Sequence, residues 1–406
     1  MPSPAADVVI VGAGPAGAAA AVSLAEAGAE VVVVDKARFP RDKICGDGLT
    51  TGALRLLERL GLDPGDVPSW QHVDDVVLRG PAGHEVTFPL PRGHGTFAAV
   101  ARRVDLDAAL VERARAAGAK VLDGHGCTGV SEHGDGVAVA VDGVGELRAR
   151  YLVAADGMWS PVRKHLGLAT PGYRGEWHAF RQYFADVGPR AASELAVWFE
   201  PDLLPGYAWS FPLPGNRANV GFGIQRGGKV QRVQQMAALW PELLDRPHVR
   251  GFLGPAARPE APHRAWPIPA RVDRATLTGR RTLFVGDAAT ATDPLTGEGI
   301  GQALLTGVLA AEAVLAHPHE AGAATAAYRV AAERALVADH RMSMLLIRAV
   351  RHRRGVRVGL RVAGATAWTR RNFGRWLFED YPRALVATPR RWRRGMVSGP
   401  GAYRTR

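Results

Sequence analysis

At 406 residues, with 47% hydrophobic and 22% charged side chains, the chain is too long for one simple core and too apolar for global disorder, so two or three interleaved domains are expected. Only two cysteines occur, Cys45 and Cys127, which excludes a disulfide scaffold and a cysteine-built metal site and suits a reducing cytoplasm. The net charge of +12 is lopsided: from Arg341 onward there are seventeen Arg, no Lys and only two acids, Glu379 and Asp380.

No basic side chain precedes the first apolar run, and no run of about 18 apolar residues occurs, so neither a secretory signal nor a membrane span is expected. Residues 7–11 form that first run. Gly12-Ala13-Gly14-Pro15-Ala16-Gly17 follows, then an Ala-rich helical segment over 18–27 and a second apolar run, 30–34, ending in Asp35. The order is strand, tight turn, helix, strand, acid. Gly12 permits the turn, Gly14 lets the backbone approach a pyrophosphate, and Gly17 lets the helix pack close to the sheet. Asp35 falls where a carboxylate accepts from a ribose hydroxyl. The pattern predicts dinucleotide binding and leaves FAD and NAD open.

Residues 36–48 form a loop rich in Gly, Pro and charge, containing Lys43-Ile44-Cys45-Gly46-Asp47-Gly48. A helix is predicted over 50–60, then strands over 74–78 and 85–90 that open a second sheet. A helix ending at Gly118 follows, with a strand at 120–122 and a meander of short strands to Arg150. Residues 151–155 read as a further strand, ending in Asp156-Gly157, and Ser160-Pro161 opens a helix. Residues 170–275 read as antiparallel strands of a separate sheet. Residues 281–285 are again a strand, ending in Gly286-Asp287. Asp293-Pro294-Leu295-Thr296-Gly297-Glu298-Gly299-Ile300-Gly301 leads into a long helix over 302–316. Beyond 331 the chain reads as helical, basic and Trp-containing.

Three loops therefore follow apolar strands: the glycine turn, Asp156-Gly157 and Gly286-Asp287. In an open parallel sheet, ligands bind outside the carboxyl ends of strands. Asp287 is suited to accept from a ribityl hydroxyl. Gly299 and Gly301 would either aim N–H groups and a positive helix end at the N1–C2=O edge of a reduced flavin, or merely form a tight turn. Tyr207, Trp209 and Phe211 alternate, so a strand puts them on one face. That face is either a sheet core or a flat apolar wall for a chain lying over a flavin. Cys45 is either a small buried residue or a thiol near the flavin. No second dinucleotide fingerprint is evident, so NAD(P)H or another reductant would serve as a transient electron donor.

Together these motifs resemble the FAD-dependent oxidoreductases of the aromatic hydroxylase fold, over about residues 7–320. Within that group, the Lys43 to Gly48 loop is similar to the cysteine loop of geranylgeranyl reductases. Tyr207-Ala208-Trp209-Ser210-Phe211-Pro212, followed by Asn219-Val220-Gly221, is similar to their substrate motif, and the Asp293 to Ile300 stretch to their flavin-edge loop. The resemblance implies an α/β fold: a Rossmann-like FAD-binding domain made of 1–70, 98–165 and 276–330, interleaved with an antiparallel β-sheet substrate domain of 71–97 and 166–275, plus a C-terminal helical segment, 331–406. It implies FAD held by Gly12, Gly14, Pro15, Ala16, Gly17, Asp35, Lys36, Cys45, Gly46, Arg103, Asp156, Gly286, Asp287, Pro294, Gly297, Gly299 and Ile300. Arg103 matches the family's arginine near the pyrophosphate, with Arg102 the competing choice. No metal is expected.

The implied reaction is hydride transfer from reduced FAD to a C=C bond of an isoprenoid or polyprenyl substrate. Tyr207 and Trp209 would hold the chain and Cys45 would lie near the reacting bond. No proton donor is obvious. The alternative on the same fold is a monooxygenase or halogenase; the halogenase branch carries Trp-x-Trp-x-Ile-Pro where this chain has Tyr207, Trp209, Phe211 and Pro212.

The basic end has three readings. One is a solvated helical surface. The favoured one is a peripheral membrane surface, with Met342, Met344, Leu345, Leu346, Ile347 and Val350 interleaved with Arg348, Arg351, Arg353 and Arg354, and with Trp368, Trp376 and Trp392 at the lipid interface. The third, RNA binding, would make the chain an RNA-associated flavoprotein; nucleic acid is the least expected partner. A cytoplasmic protein, peripheral to the membrane, is the expectation.

Overall fold

The computed structural model describes residues 6–227, 235–392 and 395–404. The expectations for residues 1–5, 228–234, 393–394 and 405–406 lie outside the described residues.

The apolar runs come together in a seven-stranded sheet. Ala6–Val11 lies between Val31–Asp35 and Gly145–Ala154 and is parallel to both; Lys120–Asp123 extends one side and Thr282–Phe284 the other. Val8, Val9 and Ile10 are fully buried, as the continuous apolar run of a central parallel strand requires. Val11 pairs with Val34 and Ala154, and Ala154 with Phe284, so these strands end level. That register lines up Gly12, Asp35, Asp156 and Gly286 along one edge of the sheet.

Helix Pro15–Glu26 starts on a proline, whose fixed φ suits a first helical position. Its buried face is mostly Ala and Gly. Small side chains let it lie close against helix Ile300–Ala316: a Cβ added to Gly307 would sit 2.2 Å from the Ala16 carbonyl oxygen.

The second sheet has eight strands. Arg258–Pro259, Trp177–Ala185, Arg217–Gln225, Tyr207–Leu213, Leu195–Trp198, Asp75–Arg79 and Glu85–Pro89 follow one another, and Arg264–Ile268 also pairs with Trp177–Ala185. Pairing is antiparallel except between Leu195–Trp198 and Asp75–Arg79, which run parallel. Two expectations need correction here. The strand at 151–155 is not separate from the meander before it. Gly145–Ala154 is one strand, pairing antiparallel with Val137–Val141 along its first half and parallel with Ala6–Val11 along its second. Nor is 170–275 all strand: Pro189–Ser193, Met236–Leu244 and Pro247–Leu253 are helices. Trp240, Leu243, Val249 and Phe252 on the last two pack with Phe180, Trp198 and Phe222 and cover one face of the sheet.

The C-terminal region is bound into the body. Helix Ala321–Val350 crosses position 330, where a domain boundary was expected, and Tyr328 on it donates to the Phe284 carbonyl. Helices Arg353–Gly364 and Ala367–Leu377 follow, and Val356, Leu360 and Ala363 pack against Val86 and Phe88 of the second sheet. Ala402 bridges to Thr96. Part of the basic charge is also tied down, with Arg375 on Asp380, Arg383 on Asp293 and Glu379, and Arg391 on Asp339. Two residues expected at a lipid interface are not fully exposed. Ile347 is buried with Trp177 and Ala270, on the inner face of its helix, and Trp376 is half-buried, donating to the Arg383 carbonyl.

Candidate active site

At the sheet edge, Gly12 adopts φ +104°, and a Cβ there would lie 2.3 Å from the Ala155 carbonyl oxygen. A Cβ on Gly17 would lie 1.8 Å from the Gly12 oxygen. Neither position admits a side chain. Gly14 caps the helix, Pro15 opens it, and Ala16 is buried against Gly286. Asp35 accepts from the N–H of Ala13 at 2.7 Å and of Ala37 at 2.8 Å, which braces the turn; Lys36 beside it is exposed.

Two guanidinium groups meet this turn. A Cβ on Gly14 would have the Nη2 atoms of Arg41 and Arg103 at 3.5 and 3.8 Å. Both arginines are oriented by one buried carboxylate: Asp107 accepts two bonds from Arg103, at 2.6 and 2.7 Å, and pairs with Arg41 at 2.6 Å. Arg102 points elsewhere, stacking 4.6 Å from the Tyr183 ring centre. The helix N–H groups, the two guanidinium groups and the Asp35 carboxylate suit the pyrophosphate and ribose of a dinucleotide.

Along the same edge, Asp156 accepts from the Val162 N–H at 2.9 Å, while its Oδ1 is buried without a protein partner. Burial raises its pKa. Gly286 sits against Ala16 and Ala303. Asp287 is half-buried, with the Thr292 hydroxyl at 3.4 Å. Lys43 faces this group. Its ammonium lies 3.6 Å from the Trp266 ring centre, and burial lowers it to about 8 against the opposing charge of Asp287.

The loop before helix Ile300–Ala316 is built on Asp293. One oxygen accepts from the N–H groups of Leu295 and Thr296 and from the Thr296 hydroxyl; the other takes the Ser343 hydroxyl at 2.6 Å and pairs with Arg383 at 3.4 Å. Burial works against the charge, but Arg383 and these bonds hold Asp293 below the ordinary carboxylate range. Pro294 and Ile300 are buried, Gly297 has φ +70°, and Gly299 caps the helix.

The aromatic strand faces this loop. Tyr207, Trp209 and Phe211 stand in a row, with ring centres 6.2 and 6.1 Å apart. Tyr207 donates its hydroxyl to the Thr296 carbonyl. Trp209 donates its indole N–H to Asn219 Oδ1 at 3.2 Å. The amide of Asn219 donates in turn to the Cys45 carbonyl and to Asp47, both at 2.8 Å, and Tyr183 donates to the same Asp47 oxygen at 2.7 Å. Phe211 lies 3.4 Å from where a Cβ on Gly46 would be. The aromatic wall, the cysteine loop and the Asp293 loop thus converge.

Cys45 is half-buried and its sulfur accepts from the Asp47 N–H at 3.3 Å. Burial, reinforced by the Asp47 charge, pushes the thiol up to about 11. At neutral pH it is a protonated thiol, not a nucleophilic thiolate. Asp47 is pushed up to about 6 by burial, against the opposing bonds from Tyr183 and Asn219.

Some residues of the candidate site were not assigned from sequence. Asp47, Asn219 and Glu298 sit inside recognised motifs, yet only their contacts place them at the site. Arg41, Tyr183, Glu379 and Arg383 carry no local signal. Glu298 and Glu379 meet at the start of helix Ile300–Ala316, where the Gly301 N–H donates to Glu298 and the Gln302 amide to Glu379 at 3.1 Å. Burial raises both carboxyls well above the usual range, and the charge of Glu379 raises Glu298 further.

A dinucleotide cradle at one part of a parallel sheet edge, with a loop facing an aromatic wall further along, defines a flavin-dependent oxidoreductase. A family described as "FAD binding domain" matches residues 5–341. Menaquinone reductase of Mycolicibacterium smegmatis is 37% identical over 328 residues, 76% of each chain. Digeranylgeranylglycerophospholipid reductase 1 of Methanopyrus kandleri is 36% identical over 313 residues, 75% of this chain and 79% of that one. Among solved structures, a geranylgeranyl bacteriochlorophyll reductase-like protein of Thermoplasma acidophilum superposes with a TM-score of 0.79 at 19% identity, covering 95% of this chain and 99% of that one. Halogenase PltM in complex with FAD superposes with a TM-score of 0.70 at 19% identity, over 88% and 79%; at such identities the likeness concerns the fold. The chain belongs to the geranylgeranyl reductase family of FAD-dependent oxidoreductases.

Proposed function

We propose that this enzyme hydrogenates carbon–carbon double bonds in the isoprenoid chain of a lipid or quinone. The observation that carries the reading is the convergence of the Tyr207–Trp209–Phe211 wall with the Cys45 loop and the Asp293 to Ile300 loop. Relatives named for reduction of a geranylgeranyl lipid and of menaquinone support the substrate class. Bound FAD, once reduced by NAD(P)H or another transient donor, supplies the hydride.

The protein's part is positional and protonic. Arg41, Arg103, Asp35 and the helix N-terminus at Pro15 would hold the adenosine and pyrophosphate end. The Gly299 helix start would hold the flavin end. Tyr207 and Trp209 lay the alkyl chain flat and keep water out, so that the alkene is held in a reactive pose. Cys45 contributes a neutral, compact contact. The second alkene carbon needs a proton from a group that still holds one near neutral pH. Glu298 and Glu379, with raised pKa values beside the Asp293 loop, are such a reserve.

The test is anaerobic turnover of prenyl lipids and prenylated quinones by reduced enzyme, read by mass spectrometry. Products heavier by two hydrogens support the reading. Conversion that occurs only with oxygen would assign the site to the monooxygenase or halogenase chemistry of the same fold.

A further inference from the structure

Helix Arg353–Gly364 has two unlike faces. Val356, Leu360 and Ala363 are buried against the hairpin of Asp75–Arg79 and Glu85–Pro89. On the opposite face, Arg354, Val358, Arg361 and Val362 follow one another at helical spacing, and Val358 and Val362 are 58% and 65% exposed. The next helix, Ala367–Leu377, continues the pattern with Trp368, 68% exposed, and exposed Arg371. Trp368 and Arg371 border a shallow groove completed by Pro89, Leu90, Pro91 and Ala367. Burial of the inner face explains why the helix forms; nothing in the fold requires large apolar side chains on the outer one.

The helices that build this face carry charge of one sign. Residues 340–378 contain no Asp or Glu. The acids of the adjoining hairpin are engaged: Glu85 with Arg79 and Arg190, and Asp75 with Arg92. The helix before it repeats the arrangement, with Leu345, 55% exposed, between exposed Arg341 and Arg348. Among the described residues, no helix is long and apolar enough to cross a membrane.

We propose that the outer face of helices Arg353–Gly364 and Ala367–Leu377 docks on an anionic lipid bilayer, with Val358, Val362 and Trp368 entering the headgroup region and Arg354, Arg361 and Arg371 meeting lipid phosphates. Charge complementarity selects this occupant, and the exposed valines favour a bilayer over a nucleic acid, which would reward arginine and aromatic faces but not aliphatic side chains. The placement also has consequences for the site. The apolar cluster on the inner side of the helix, containing Val356 and Leu360, extends to Phe211 of the aromatic wall. A docked enzyme would hold that end of its substrate sheet against the phase where prenyl chains dissolve. The proposal concerns where the enzyme sits and is independent of the reaction assigned to it.

Flotation of the full-length, FAD-loaded protein with vesicles tests it. The protein is expected to float with phosphatidylcholine vesicles containing phosphatidylglycerol, to stay behind with pure phosphatidylcholine, and to be released by high salt. The triple variant Val358→Ser, Val362→Ser, Trp368→Ser is expected to lose flotation while keeping its flavin absorbance. The variant Arg354→Gln, Arg361→Gln, Arg371→Gln is expected to partition about a hundredfold more weakly, at about fivefold per arginine. Absence of flotation with the anionic vesicles, or undiminished flotation of both variants, overturns the proposal. So does salt-dependent binding of a single-stranded RNA oligonucleotide that the arginine variant loses while vesicle binding persists. Failure of the reductase reading would show instead as absent turnover of detergent-dispersed prenyl substrates with flotation intact.

Discussion

Asn219 joins Trp209 to the cysteine loop: its Oδ1 accepts the indole N–H at 3.2 Å while its amide nitrogen donates to the Cys45 carbonyl at 2.8 Å. One buried side chain thus sets the position of the aromatic wall relative to the loop opposite. Asn219→Leu leaves the indole N–H unpaired and removes a bond from Asp47, at a cost of about 1–3 kcal/mol. FAD should remain bound and turnover should fall by about ten- to a hundredfold. In a Cys127→Ser background, Cys45 should react faster with maleimide, because its loop has lost an anchor. Unchanged labelling together with unchanged turnover would deny Asn219 this role.

Trp209→Ala should yield a protein that keeps its flavin but reduces alkenes at least about tenfold more slowly, since the chain loses its flat support. Trp209→Phe retains the apolar face but not the Asn219 bond and should fall between. If Trp209→Ala turned over at the parent rate, the tryptophan would be a core residue only.

The glycine turn separates folding from cofactor binding. A side chain at Gly17 collides with the Gly12 carbonyl at 1.8 Å, so Gly17→Val should not fold. At Gly14 the added Cβ meets only Arg41 and Arg103, at ordinary contact distance, in the space where a pyrophosphate would lie. Gly14→Val should therefore purify folded and colourless. A yellow Gly14→Val protein with full flavin content would contradict the placement of the pyrophosphate.

Glu298 and Glu379 give stability a defined pH dependence. Their pKa values are higher folded than unfolded, so the folded state binds protons that the unfolded state releases. The sign follows: their contribution is fully present below the ordinary glutamate range and is lost as pH rises through neutrality. Each retained proton corresponds to a slope of about 1.4 kcal/mol per pH unit. Glu298→Gln and Glu379→Gln should flatten the decline in denaturant midpoint between pH 5 and pH 8, roughly the interval set by that linkage. Glu298→Gln should also remove the basic limb of the turnover profile if this pair stores the proton. Identical pH profiles for parent and variant would leave the carboxyl pair a structural feature.

Much of the cofactor half was legible because it is local. Gly12, Gly14 and Gly17 stand at a fixed spacing between two apolar runs, and the apolar runs before Asp35, Asp156 and Gly286 announce strands that end at one edge. The aromatic face was legible for the same reason, since alternation in Tyr207–Leu213 fixes which side chains share a side. What escaped were relations between distant segments. Glu298 and Glu379 become a pair, and Asp293 gains Arg383 and Ser343, only because the C-terminal helices fold back onto the loop. That return also turns arginines that read as a free basic surface into buried counter-ions, Arg375 and Arg383 among them. The helices within 170–275 were missed because their apolar residues, including Trp240, look equally at home in strands of an aromatic-rich sheet.

In the proposed reaction, the Tyr207–Trp209–Phe211 wall holds a prenyl chain for hydrogenation by reduced flavin. The most direct measurement is mass spectrometry of geranylgeranyl lipids and prenylated menaquinone incubated with dithionite-reduced enzyme in the absence of oxygen. Products gaining two hydrogens per reduced bond are expected, with yields that fall in Trp209→Ala. Substrate left unchanged anaerobically, but oxygenated or halogenated when air is admitted, would contradict it.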